Sequence, residues 1–288
     1  MKVAAISYRP ERLSGWGALE ARLDRLLSEA AADLVVLPEY AAMEAALMSP
    51  PRGDGALDWR DRAAEMAGDW AAQIAGLARK HGCTIVGGSG PARTPAGIVN
   101  RAPVAAPNGA TGHQDKLILT PWEREELAMV PGTGLTLFDG PRGAFGVLIC
   151  YDSEFPLLAR ALVEAGACVL CVPSCTDLPA GQTRVRQSCR ARAIEGQVAV
   201  VQAPLVGETA CPVIDVNRGR AGIFVPPDTG LPETGILADG PDDREAVVTA
   251  DLPLAALAGV SRARAGQVGN AAHWPEQADR LGVTRLPL

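Results

Sequence analysis

Three side chains of different reactive type stand at the ends of strand-like runs. Glu39 follows Leu34-Val35-Val36-Leu37-Pro38, Cys150 closes Gly146-Val147-Leu148-Ile149, and Lys116 lies in a third segment read the same way. In α/β proteins the C-terminal ends of strands are where loops gather a ligand site. A cysteine nucleophile reacts as the thiolate, so it needs a base or a nearby cation to lower its pKa from about 8.5. Histidine is the usual base, and the chain has three, His81, His113 and His273. His81 ends a predicted helix, His113 falls in a glycine-rich stretch expected to be a loop, and His273 lies in the tail. None stands at a strand end. A glutamate can take the thiol proton instead if a desolvated pocket brings the two proton affinities together. A lysine beside them can hold the thiolate and, later, an oxyanion. Glu39, Lys116 and Cys150 are therefore a coherent set for catalysis by a cysteine nucleophile.

Such a set needs elements that bring distant strand ends together. The chain alternates short β-rich runs with amphipathic helical stretches, the pattern of a layered α/β domain. Predicted strands cover 2–8, 33–37, 83–87, 97–106, 135–138, 143–150, 167–172, 198–205, 222–225 and 246–251. Predicted helices cover 18–31, where apolar residues recur every three or four positions, 58–81, 156–165 and 183–196. No Ser/Gly/Pro-rich linker divides the chain, which predicts one domain of two facing sheets covered by helices.

Composition narrows the partners. With 288 residues, 48% hydrophobic and 21% charged, the chain matches ordinary globular proteins rather than disordered ones. Its net charge is −6 and it has no basic cluster, so neither nucleic acid nor an anionic membrane surface is an expected partner. Apolar runs such as 147–150 and 168–173 are strand-sized, far below the roughly 18–20 residues of a membrane span. The first ten residues lack the apolar core of a secretory signal, so a cytoplasmic location is expected. Seven cysteines are an odd number and suit reduced thiols better than a disulfide framework. Cys168, Cys171 and Cys175 cluster without a histidine or a second Cys pair nearby, so they read as buried small hydrophobes and no metal site is expected.

The residues around the three reactive groups resemble the nitrilase superfamily of carbon–nitrogen hydrolases. Leu37-Pro38-Glu39-Tyr40 is similar to its first motif, Gln114-Asp115-Lys116-Leu117-Ile118-Leu119-Thr120-Pro121-Trp122 to the second, and Gly146-Val147-Leu148-Ile149-Cys150-Tyr151-Asp152-Ser153-Glu154-Phe155-Pro156 to the third. The likeness continues through Val172-Pro173-Ser174-Cys175-Thr176, Arg190–Gln197, Val206-Gly207 and Gly235–Gly240, and so covers residues 1 to about 252. Residues 253–288 would be an extension packed on the domain or on a partner copy. Two departures stand out: Val99 precedes Asn100 where an aromatic residue is frequent, and Glu195-Gly196-Gln197 replaces Glu-Asn-Gln.

The resemblance implies a four-layer αββα sandwich and an amidase-like hydrolase with no metal or organic cofactor. Glu39 would be the base, Cys150 the nucleophile, and Lys116 with the Tyr151 N–H the oxyanion donors. The implied reaction cleaves the C–N bond of a small amide through a Cys150 thioester and releases ammonia or an amine, and a homodimer or higher homo-oligomer is implied. A nitrilase, or a silent binding protein on the same fold, is the alternative. The family places a second glutamate before a Pro-Gly turn. Glu123, Glu125 and Glu126 precede Pro131-Gly132, and the spacing favours Glu125. Tyr151, Glu154 and Thr176 are the expected substrate contacts. With Asp152 and Glu154 just after the nucleophile and no base beside them, the pocket is expected to prefer neutral or cationic amides over carboxylated ones.

Overall fold

In the computed structural model, residues 1–261, 268–278 and 282–285 are described. The chain first forms β1 (Lys2–Ser7), α1 (Trp16–Ala30), β2 (Leu34–Leu37), α2 (Met43–Met48) and α3 (Ala56–His81). Then follow β3 (Thr84–Gly87), β4 (Gly90–Thr94), β5 (Gly97–Ala105), β6 (Thr111–Asp115) and the short α4 (Pro121–Glu125). The second half holds β7 (Leu137–Gly140), β8 (Gly143–Val147), α5 (Pro156–Glu164), β9 (Val169–Ser174), α6 (Pro179–Gly196) and β10 (Ala199–Pro204). A small hairpin, β11 (Gly207–Glu208) with β12 (Val216–Asn217), precedes β13 (Gly222–Phe224), β14 (Ile236–Asp239), β15 (Ala246–Asp251) and α7 (Leu254–Ser261).

One sheet runs β15-β1-β2-β3-β5-β4, with β6 added on β5, and the other runs β14-β13-β10-β9-β8-β7. β1 and β2 face β10 and β9, α1 and α3 cover the first sheet, and α5 and α6 cover the second. This is the αββα sandwich. Side chains alternate faces along a strand, so a strand covered on both sides is apolar throughout. Val3, Ala5, Leu34 and Val36 enter the core between the sheets with Val169 and Cys171. Ala4, Ile6, Val35 and Leu37 enter the core under the helices with Leu19, Leu23, Trp70 and Ile74.

β1, β2 and β3 are parallel, as are β8, β9 and β10. Their C-terminal ends deliver the loops that carry Glu39, Cys150 and Thr176. Lys116 arrives differently. It follows β6, a polar strand Thr-Gly-His-Gln-Asp that pairs with β5 alone. An edge strand with one wet face has no apolar run to betray it, so the expected loop at His113 is a strand and Lys116 closes a polar one. His113 itself has its side chain 49% exposed. His81 ends α3, bonded through Nε2 to Asp24 at 2.7 Å. The extension begins by packing on the domain: Leu257 and Val260 of α7 join the core between the layers. Residues 262–267, 279–281 and 286–288 of that extension lie outside the described residues.

Candidate active site

Glu39 sits in a tight turn after β2. Tyr40 takes a left-handed φ of 60°, which costs a non-glycine residue about 1–2 kcal/mol, and neighbouring backbone holds the turn. Ser89 N–H donates to the Pro38 carbonyl at 3.1 Å, and Ala42 N–H to the Ser89 carbonyl at 3.1 Å. Gly88 makes this approach possible, since a Cβ there would lie 2.4 Å from the Pro38 oxygen.

Cys150 follows β8 as the first residue of a 3₁₀ turn, Cys150–Glu154, and has a left-handed φ of 48°. Asp152 locks that elbow. Its carboxylate accepts the N–H groups of Ile149 at 3.2 Å, Leu117 at 3.2 Å and Ile118 at 2.8 Å. It thereby ties the nucleophile's turn to the loop after Lys116. Burial nevertheless pushes its carboxyl up to about 6, against those donors and the Lys116 charge. Sequence reasoning assigned Asp152 no such role, because a carboxylate's backbone partners across 34 residues leave no local pattern.

Lys116 is fixed by its backbone, N–H to the Asn100 carbonyl at 2.9 Å and carbonyl to the Gly132 N–H at 2.8 Å. Its ammonium donates to Glu39 Oε1 at 2.7 Å and to Glu123 Oε2 at 2.7 Å, and all three side chains are buried. Glu123, and neither neighbour, is thus the second glutamate. Thr120 caps α4, its Oγ accepting from Glu123 N–H while Glu123 Oε2 accepts from Thr120 N–H at 2.8 Å. That reciprocal arrangement turns residue 123 back toward the helix start. Glu125, two residues on and roughly 200° round the helix, is exposed, as is Glu126. The expectation of Glu125 is therefore corrected. The Thr120-Pro-Trp-Glu123 spacing was the sequence signal that would have found it.

The electrostatics separate the carboxyls. Burial is the largest influence on Glu39 and raises it to about 7; Lys116 opposes this and Glu123 reinforces it. Burial acts on Glu123 too, but Lys116, the Thr120 N–H and Asn100 together hold it below the usual carboxylate range. The Lys116 ammonium, despite burial, is held charged by the two glutamates. The Cys150 thiol lies within hydrogen-bonding reach of Glu39 and is pushed well up by burial, then by the Glu39 charge. It therefore rests protonated beside a carboxylate poised near neutrality. Such a pair can transfer a proton as substrate arrives.

These groups line a cavity of about 470 Å³ together with Tyr151, Glu154 and Thr176. The Thr176 hydroxyl is engaged with the Arg218 carbonyl at 2.8 Å, and the Tyr151 ring rests edge-on against Phe155. Glu154 is paired with Arg184, also on the cavity wall, at 3.2 Å. The cavity wall therefore carries a base beside Glu154, where the segment around the nucleophile offered only acids. Among the described residues, no group of three or more His, Cys, Asp or Glu could hold a metal ion. No described helix is long and apolar enough to cross a membrane.

Residues 2–262 match the sequence profile of the Carbon-nitrogen hydrolase family. The chain is 30% identical over 251 residues to omega-amidase NIT2 of Danio rerio, covering 83% of this chain and 84% of that one. It is 29% identical over 261 residues to the probable hydrolase YhcX of Bacillus subtilis, which matches 89% of this chain but 50% of YhcX. The chain thus spans about half the length of that relative. The fold is shared with Nit3 of Saccharomyces cerevisiae, a member of branch 10 of the nitrilase superfamily. Their TM-score is 0.70 at 23% identity, over 91% of this chain and 93% of Nit3. With its match along residues 2–262, beside the buried Glu39–Lys116–Glu123 cluster and the cysteine elbow, this chain belongs to the Carbon-nitrogen hydrolase family.

Proposed function

We propose that this protein is an amidase that cleaves the C–N bond of a small amide through a thioester on Cys150. The observation that carries this reading is the Lys116 ammonium clamped between Glu39 and Glu123 beside the Cys150 thiol. Glu39 takes the thiol proton, and the sulfur attacks the amide carbonyl carbon. The C–S bond forms as the carbonyl electron pair moves to oxygen, where Lys116 and the Tyr151 N–H stabilise it. Collapse breaks the C–N bond, and Glu39 passes its proton to the departing ammonia or amine. Water, losing a proton to Glu39, then hydrolyses the thioester and frees the thiol. A carboxyl near 7 suits both halves of this cycle. Glu123 stays ionised as the counter-charge of Lys116, which leaves Glu39 free to change its protonation state.

Relatives named omega-amidase and deaminated glutathione amidase favour an amide over a nitrile. Ammonia release from a panel of small amides, carbamoyl compounds and nitriles tests the reading, with the acyl-enzyme trapped for mass spectrometry. Turnover of nitriles exceeding that of every amide would replace it with the nitrilase reading.

Glu123→Ala is expected to lower kcat/KM by about 10²-fold or more. It should also cost about 3–5 kcal/mol in stability, because it strips one partner from a buried charge network. Glu125→Ala, at an exposed position, should stay within about twofold. Equal effects from the two would show that Glu123 is not the particular partner of Lys116.

At the cavity wall, Glu154→Gln should release Arg184 from its partner. Amides carrying a carboxylate should then gain about threefold to fivefold in kcat/KM relative to neutral amides of similar size, the scale of an exposed ion pair. An unchanged ratio would show that Arg184 does not face the bound substrate.

A further inference from the structure

We infer that Asn100 is a positioning residue for the general base: its amide N–H₂ group is shared between Glu39 and Glu123 and sets the pH at which Glu39 can accept the Cys150 proton. This rests on the amidase reading of the same site. Asn100 lies within β5, fully buried. Its Nδ2 donates to Glu39 Oε1 at 2.9 Å and to Glu123 Oε1 at 3.0 Å, while its backbone carbonyl accepts the Lys116 N–H at 2.9 Å. One neutral residue therefore touches three of the four reacting groups.

The orientation of the amide follows from its neighbours. Turned over, it would place its oxygen against two carboxylate oxygens. In the observed orientation Oδ1 is buried with no hydrogen-bond partner among the described residues. An unmade buried hydrogen bond is a cost, and its persistence points to the donor half as what this position requires. A second cation here would hold Glu39 permanently ionised and weaken it as a base. An apolar residue would leave two carboxylates competing for one ammonium.

The two carboxylates depend on Asn100 unequally. Glu123 also accepts from the Tyr40 hydroxyl at 2.9 Å, the Thr120 N–H at 2.8 Å and the Thr120 hydroxyl at 3.0 Å. Around Glu39 the titratable groups are the Lys116 ammonium, the Glu123 carboxylate, the thiols of Cys150 and Cys175 and the Tyr40 phenol. Of these, Lys116 donates a hydrogen bond to Glu39 beside Asn100, and the Cys150 thiol lies within reach of its carboxyl. Loss of the amide therefore falls mainly on Glu39. An N–H donor stabilises the carboxylate over the carboxylic acid, so its removal raises the proton affinity of Glu39 further. The acid limb of any reaction that needs ionised Glu39 must then move to higher pH.

The test is the rate at which iodoacetamide alkylates Cys150, followed by peptide mass spectrometry from pH 5 to 9. Asn100→Leu, similar in volume and lacking donors, is expected to raise the acid-side midpoint by about one pH unit. That is a tenfold slower reaction on the acid limb, with rates converging on the unmodified protein at high pH. Asn100→Ser, which keeps one O–H donor, should shift it less. If the leucine variant does not fold by circular dichroism, Asn100→Ala carries the same expectation of an upward shift. A uniform fall in rate at every pH with an unmoved midpoint, in whichever variant folds, would overturn the inference and leave Asn100 a packing residue. Failure of the amidase reading looks different: the unmodified protein would be alkylated at Cys150 yet release no ammonia from any amide, with the effect of Asn100 still measurable.

Discussion

Cys150→Ala is expected to abolish ammonia release, by about 10⁴-fold or more, while leaving the folded structure intact. Removing a covalent nucleophile collapses the rate to what binding and the oxyanion donors supply alone. The substitution deletes one buried sulfur that donates to the Cys175 carbonyl at 3.5 Å, while Glu39 keeps its hydrogen bonds from Lys116 and Asn100. No acyl adduct should form on incubation with a substrate amide. Alanine at Cys168, Cys171, Cys175 or Cys189 should keep most of the activity. Cys175 is the informative control, because it lines the same cavity, its thiol turned to Asn217 Oδ1 at 3.2 Å. Full activity in the Cys150→Ala protein would sink the mechanism.

Lys116→Met is expected to hurt both rate and stability, which distinguishes it from the cysteine variant. An oxyanion donor is worth about 10²–10³ in rate. Loss of the ammonium also leaves Glu39 and Glu123 facing each other in a buried site. Breaking a buried ion pair from one side costs about 3–5 kcal/mol. The sign with pH follows from protonation. Without Lys116 both carboxyls rise above their unfolded values, so the folded state is most penalised at high pH, where they ionise. Stability should return as pH falls below the unfolded carboxylate range, about 4. Urea denaturation at pH 4 and pH 8 measures this directly. A methionine variant with kcat within a few-fold of the unmodified protein would remove Lys116 from the reaction.

Much of the architecture was legible because the strands that matter are buried on both faces. Runs such as Leu34–Leu37 and 169–173 are apolar at every position, so they announce themselves without context. The helices that cover them show the three-and-four spacing of a buried stripe. The edge strand β6 had no such signature, and β4, which also pairs with β5, reads Gly-Pro-Ala-Arg-Thr, with the turn formers glycine and proline at its start. Their strand conformation is supplied by pairing with β5, a tertiary fact.

The sequence by itself determined which chemistry was available: a cysteine and a glutamate each at the end of an apolar run, a lysine between them in sequence, and no histidine similarly placed. Those choices are written in residue type and local pattern, which survive without coordinates. Only the tertiary structure decided which second glutamate joins the lysine. Glu123 and Glu125 have the same chemistry and nearly the same distance along the chain, and they differ in the side of one helical turn that meets Asn100 and Tyr40. Only the packed structure, likewise, made Asp152 a brace between two loops and gave Asn100 its two carboxylates. Both roles arise from hydrogen bonds between segments tens of residues apart. Burial then set the proton affinities. A carboxyl is pushed to about 7 when the layers on all sides take water from it, and no single segment of this chain carries that information.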